Sequence, residues 1–342
     1  MGKSFNLNFK RDIIIIVTVI VLIVLLFVSN LYLGDADIPL GDVFSILSGG
    51  NAENEAWSYI VEYRLNRSII AVFGGGALAI SGLILQVFFR NPLAGPGVLG
   101  ITSGASLGVA LVILGGGAFV NALGGTAVLL FGALGAIGVL FLLLFLSKYI
   151  KNQVTLLVIG LMISYFTSAF VNMLYLWSNQ EQTREFVIWG LGSFEGLSSN
   201  QVLAFTSTIV VFLALSILMI KGLNALVLGE DYARSLGIDL KLQKTLMIVV
   251  TSVLAAVVTT YCGPISFIGI AVPQLIRIGV KNNNHAFMLP AAFLGGALLG
   301  LTADIIVRSV GNALPLNTVT ALIGAPIIIW TIIKMNKRLA GM

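Results

Sequence analysis

The chain has 342 residues, 58% of them hydrophobic and 10% charged, with a mean hydropathy of +1.04. Soluble domains carry roughly 25% charged residues, so a single packed core does not account for this much apolar surface and lipid must cover part of it. The net charge of +5 comes from Lys and Arg placed singly or in pairs between apolar runs, which excludes a basic, aromatic-interleaved nucleic-acid face.

A bilayer core of about 30 Å needs about 20 apolar residues at 1.5 Å per residue. Ten segments are candidate spans: Ile13–Leu33, Ser68–Phe89, Val98–Leu114, Phe119–Leu146, Thr155–Leu176, Val202–Ile220, Leu242–Cys262, Ile265–Val280, Met288–Val307 and Val319–Ile333. Lys3, Lys10 and Arg11 before the first give it the look of a signal peptide. It is long enough to span, and no small-residue cleavage site follows it, so it reads as a retained helix. The eighth is short, opens on Gly263-Pro264 and contains Pro273, so it reads as a span or a broken helix.

With the N-terminus in the cytoplasm and the spans alternating, fifteen of the nineteen Lys and Arg fall on the cytoplasmic side or at its edge. Only Arg64, Arg67, Arg184 and Arg308 lie outside. Nine or eleven spans break this sorting, so the positive-inside rule selects ten spans with both termini cytoplasmic. The long exterior segments, 34–62 and 178–200, are acidic, carrying Asp35, Asp37, Asp42, Glu53, Glu55 and Glu62 in one and Glu181, Glu185 and Glu195 in the other.

The expected fold is therefore an all-α polytopic membrane protein, one transmembrane domain over residues 1–342. Ten spans divide into two five-helix halves, about 11–177 and 200–335, with a cytoplasmic segment at 222–241. An odd number of spans per half makes the second half inverted if the two are related. Gly100, Gly104 and Gly108 share one face of the third span, and Gly296 and Gly300 share one face of the ninth. Small residues at that spacing let helices approach closely in lipid. Gly74-Gly75-Gly76 reads as packing or flexibility, since no Lys-Ser/Thr follows to make a phosphate loop.

Chemistry-bearing residues are few. Cys262 and His285 are each the sole residue of their kind, so neither a disulfide nor a cysteine or histidine metal cluster forms within one chain. Cys262 reads as packing in an apolar run; His285, in a short cytoplasmic loop, has no evident partner in sequence. No Walker motif and no nucleophile–base arrangement occurs, so the chain is expected to be no enzyme and to hold no cofactor of its own. Asp304, the one acid well inside a span, stands four residues before Arg308, which predicts a same-face ion pair, a proton site being the alternative. Ser164, Ser168 and Asn172 form a polar stripe on the fifth span that either bonds a neighbouring helix or lines a wet pathway. In the cytoplasmic segment, Gly229 and Gly237 bracket a short helical run in which Ala233 and Leu236 share a face and charges lie elsewhere. Such a helix either docks a soluble partner or is a solvated linker.

Several of these segments together resemble the FecCD-type permeases of bacterial ATP-binding-cassette importers, which carry iron-siderophores, haem and cobalamin. The resemblance rests on Arg64-Leu65-Asn66-Arg67, Arg90-Asn91-Pro92-Leu93-Ala94-Gly95-Pro96-Gly97 continuing through Gly100 to Ala105, Gly229 to Gly237, Gly263 to Gly269, Ala303-Asp304 to Arg308, and Thr320 to Pro326. Asn66 stands where the family usually has Pro, and Pro273-Gln274 where it has Pro-His. The resemblance implies a homodimer of permeases in the bacterial cytoplasmic membrane, two ATPase subunits holding ATP and magnesium inside, and a substrate-binding protein outside. It implies that Gly229, Glu230, Asp231, Ala233, Arg234, Leu236 and Gly237 couple to the ATPase. Arg64, Arg67 and Arg308 would meet carboxylates of the binding protein, their alternative role being headgroup anchoring for the first two. The implied pathway, which Ser164, Ser168 and Asn172 would line, carries a ferric siderophore or haem. Cobalamin is the alternative cargo, and a single-chain ion-coupled carrier dependent on Asp304 the rival from another class.

Overall fold

The computed structural model describes residues 2–34, 36, 38–50, 54–115, 125–150, 152–280, 282–311 and 314–339. Phe119–Gly124 of the fourth predicted span, and Asp35, Asp37, Glu53, Lys151 and Lys281, lie outside these residues. Among the described residues every regular element is helical. In chain order they are α1 (Gly2–Tyr32), α2 (Leu40–Leu47), α3 (Glu55–Phe88), a 3-10 turn (Pro96–Leu99), α4 (Ile101–Ile113), α5 (Thr126–Ser147), α6 (Gln153–Trp177), α7 (Gln180–Gly190) and α8 (Ser199–Leu218). There follow α9 (Ile220–Leu228), α10 (Glu230–Ser235), α11 (Leu240–Cys262), α12 (Ile268–Gly279), α13 (His285–Ser309) and α14 (Leu316–Leu339).

Eight of these, α1, α3, α5, α6, α8, α11, α13 and α14, are long and apolar enough to cross a membrane. The remaining two predicted spans, the third and the eighth, are the shorter apolar helices α4 and α12, of 13 and 12 residues. Each is entered through irregular backbone, with Gly100 at φ 76° before α4 and Phe267 at φ 68° before α12. These two entrances meet beside α3: a Cβ on Gly269 would lie 2.6 Å from Pro96 Cδ and 2.9 Å from the Leu78 carbonyl. Short, Gly/Pro-interrupted helices at the third place of each five-span half are the pattern that inverted-repeat transporters show.

α3 is the central helix, with Leu83, Ile84 and Leu85 fully buried. It crosses α13 at backbone contact, because neither Gly75 against Gly296 nor Gly300 against the Ala71 carbonyl leaves room for a Cβ. The glycine triplet and the ninth-span glycines, read separately in the sequence, are thus two sides of one crossing. Gly104 and Gly108 of α4 meet Gly135 and Phe131 of α5 in the same manner. Gly100 does not share that face: it is the left-handed residue before α4 and abuts the Gly160 carbonyl and Ile163 of α6.

α1 lies alongside α13. Near one end Arg11 donates to the Gly279 carbonyl at 3.1 Å, and at the other Arg308 donates to Asn30. The two helices therefore run the same way, as spans one and nine of an alternating chain must. Two elements of the exterior segments were not anticipated. α2 buries Val43 and exposes Leu40, Phe44 and Leu47. α7 is closed by a reciprocal cap between Asn179 and Gln182 and packs Phe186 against Tyr175 and Trp189.

Candidate functional site

The outer end gathers three of the four cations that charge sorting left outside, Arg184 standing apart and exposed on α7. α3 begins at Glu55 rather than at Ser68, so Arg64 and Arg67 stand on the helix, one turn apart, and not in a loop. Arg64 is 3% exposed. It donates from Nη1 to the carbonyls of Leu31 and Tyr32, both at 3.0 Å, and from Nη2 to Ala36 at 2.8 Å. Arg308, from α13, donates to Asn30 Oδ1 at 2.8 Å and to the carbonyls of Asn30 and Leu33. Two guanidinium groups from two helices thus satisfy the carbonyls that α1 leaves open at its C-terminus, where positive charge is also favoured by the helix dipole. Gly34 leaves the room for them: a Cβ there would sit 2.6 Å from Arg64 Nη2 and 2.7 Å from Arg308 Nη2.

Arg67 holds the second part of this cluster. Its Nε donates to Asp304 Oδ1 at 2.6 Å and its Nη1 to Glu195. Arg67 and Asp304 are 4% and 1% exposed, so their charges are shared inside the protein, while Glu195 remains 30% exposed at the outer rim. The expected Asp304–Arg308 pair is therefore replaced by Asp304–Arg67, because Arg308 is drawn to the bare end of α1. A cavity of 190 Å³ opens over Arg67, Glu195 and Asp304, walled by Gly192, Phe194 and Pro315. Glu195 is carried by a loop whose Ser193 amide bonds the Cys262 carbonyl at 2.8 Å, and Asn317 donates to the Leu191 carbonyl at 3.1 Å. The outer mouth is thereby tied to the ends of α11 and α14.

The inner end carries the short helix α10. Gly237, at φ 73°, closes it in a Schellman motif: its amide reaches the Arg234 carbonyl at 2.9 Å and the Ile238 amide the Ala233 carbonyl at 3.1 Å. Ala233 is buried and Leu236 exposed, so the two do not share one inward face as the spacing predicted. Glu230 turns inward, accepting from Lys244 at 2.8 Å and Gln153 at 3.0 Å, and pins α10 to α11 and α6. Asp231, Tyr232, Arg234 and Leu236 stand outward as a mixed charged and apolar patch. His285 is not a loop residue: it opens α13, is buried, and its Nδ1 lies 2.8 Å from Asn224 Oδ1 on α9.

On α6, Gly160 packs against Val98 and Leu99, leaving the opposite side of the helix uncovered. Ser164 bonds its own Gly160 carbonyl at 3.1 Å, while Ser168 and Asn172 are exposed with Tyr165 and Leu176. Among the described residues no helix covers the outer part of the stripe.

Two residues that depart from the family pattern have visible work. Asn66 donates to Ser199 Oγ at 3.0 Å, and Ser199 in turn donates to Glu62, linking α3 to the start of α8. Gln274 donates to Gln86 Oε1 at 3.0 Å and to the Pro92 carbonyl at 2.7 Å, holding α12 to α3 and to the irregular stretch before α4. Gln86 was open to detection as a lone amide in an apolar span, and Glu195 as an exterior acid; Asn224 carried no such mark.

A family model described as the FecCD transport family matches residues 21–334. The chain belongs to that family. This FecCD member is 33% identical over 315 residues to the hemin transport system permease of Yersinia pestis, covering 91% of this chain and 94% of that one. It is 36% identical over 283 residues to the vitamin B12 import system permease of Klebsiella pneumoniae, covering 82% and 84%. Among solved structures it resembles an inward-facing transporter described as of the metal-chelate ABC type, at TM-score 0.82 and 29% identity, over 94% of this chain and 99% of that one. A second, a Streptococcus pneumoniae complex at 16% identity and TM-score 0.53, shares the fold. The chain is a membrane-spanning permease, with ATP hydrolysis left to a separate subunit.

Proposed function

We propose that this chain imports a metal chelate, a ferric siderophore or haem, as one of two identical permeases above a pair of ATPase subunits. What carries the reading is similarity along nearly the whole chain to hemin and vitamin B12 permeases, joined to the placement of the two predicted docking regions at opposite ends. The binding protein docks at the outer mouth around Arg64, Arg67 and Arg308, whose side chains its carboxylates reach by displacing the carbonyls and Glu195 that hold them here. Charges so placed set register and approach more than affinity. The outward patch of α10 seats in the ATPase, with Gly229 and Gly237 as its ends and Ala233 and Glu230 as its anchors. The uncovered faces of α6 in two copies enclose the pathway, with Ser168 and Asn172 facing the cargo and Ser164 at its edge. The halves about 11–177 and 200–335 act as inverted units that rock about the meeting point of Pro96 and Gly269.

The vitamin B12 permeases at comparable identity favour one second reading, cobalamin as cargo. Proteoliposomes holding the chain with its cognate ATPase and binding protein separate the two. ATP-dependent uptake of labelled ferric siderophore or haem over labelled cobalamin is expected; preference for cobalamin overturns the cargo and keeps the architecture.

A further inference from the structure

We propose that the groove between α5 and α11 binds an anionic phospholipid of the cytoplasmic leaflet. Two cavities lie along this one helix pair. The inner, of 910 Å³, is walled by Phe141 and Leu144 of α5 and Thr245 and Ile248 of α11. The outer, of 260 Å³, takes Ala133 and Ala136 of α5 with Val253 and Ala256 of α11. Residue numbers fall along α5 as they rise along α11, so the two cavities follow one another along the same groove. From Gly132, which touches Thr260, to Lys148 it runs roughly 24 Å at 1.5 Å per residue.

Only the cytoplasmic end is charged. Lys148, Lys241 and Lys244 line the inner cavity against a single carboxylate, Glu230, which already accepts from Lys244 and Gln153, while Arg234 at the edge turns outward beside Asp231. Among the described residues Lys148 and Lys241 have no ion pair, and the nearby Asp239 is engaged in capping α11 through the Lys241 and Leu242 amides. The groove opens sideways, past Phe141 and Phe145 at 67% and 55% exposure, on the α5 face that Leu130, Leu134 and Ile137 continue. A cationic rim at the leaflet surface above an apolar slot open to the bilayer fits a negatively charged headgroup with its acyl chain. A soluble phosphate would use the rim and leave the slot empty.

The test is native mass spectrometry of the full chain released from nanodiscs containing equal phosphatidylglycerol and phosphatidylcholine. Retention of phosphatidylglycerol over phosphatidylcholine is expected, and Lys148→Gln/Lys241→Gln should weaken that preference about tenfold, each cation near the surface contributing to anionic-lipid affinity. Ala133→Trp, which plugs the slot, should reduce retention of both lipids. Equal retention of the two lipids by the unaltered chain overturns the proposal. So does phosphatidylglycerol retention that ignores the lysine substitutions, or displacement of the lipid by glycerol phosphate alone.

Discussion

Arg67 and Asp304 show what a single buried charge does in this protein. Paired, they share charge across α3 and α13; without Arg67, Asp304 is left charged at 1% exposure, whereas Arg67 without Asp304 still has Glu195. Removing one partner of such a pair is strongly destabilising, while replacing both with apolar residues often is not. Arg67→Leu should therefore lower stability by about 3–5 kcal/mol, read as a depressed thermal midpoint in detergent. Arg67→Leu/Asp304→Leu should recover most of the loss, since Glu195 can turn to water. That pattern also separates a structural pair from an ion-coupling acid, which would change the ion dependence of uptake with stability intact. The acid itself was plain in the sequence, but its partner was not. Local spacing pointed to Arg308, and nothing local shows that the end of α1 competes for that guanidinium.

At the scale of helices, close approach does what apolar burial does in water, because lipid gives helices no hydrophobic reason to associate. Gly296→Leu should force α3 and α13 apart, and the expected result is loss of monodisperse protein in size-exclusion chromatography. On α10 the expected effect is functional. Gly237→Ala places a side chain at φ 73°, which costs roughly 1 kcal/mol. ATP hydrolysis should continue while substrate imported per ATP falls, measured together in one vesicle preparation. Ten apolar segments were legible because hydropathy and charge sorting report directly on lipid and on side. The start of α3 was hidden, since Glu62, Arg64 and Arg67 interrupt its apolar pattern although they are satisfied at the outer mouth. α4 was read as a full span, its shortness masked by the apolar irregular backbone before it, whereas the segment of α12 was already short in the sequence and read as a span or a broken helix.

For the whole molecule the decisive asymmetry is between a packed α3 and a bare α6. Among the described residues nothing covers the α6 face that presents Ser168 and Asn172, and in the arrangement proposed above that face lines the pathway between two copies. Asn172→Trp should reduce uptake several-fold with ATPase activity retained, because the bulk obstructs the cargo and leaves α10 untouched. Unchanged uptake would take this face out of the pathway. The stripe was visible from spacing alone, but whether a helix of the same chain covers it is a tertiary fact.

The two arginines that close the end of α1 also set a timetable. The ribosome delivers α1 well before Arg308 and the Gly279 carbonyl, which hold its two ends. Until α13 has been made, α1 leans at its outer end on α2, through Leu31 and Val43, and on α3, through Arg64. A nascent chain halted after Gly279 should leave a cysteine placed at Asn30 open to maleimide, and release of the full chain should close it. Although α1 comes long before α13 in the chain, it is thus locked in place only once α13 has been made.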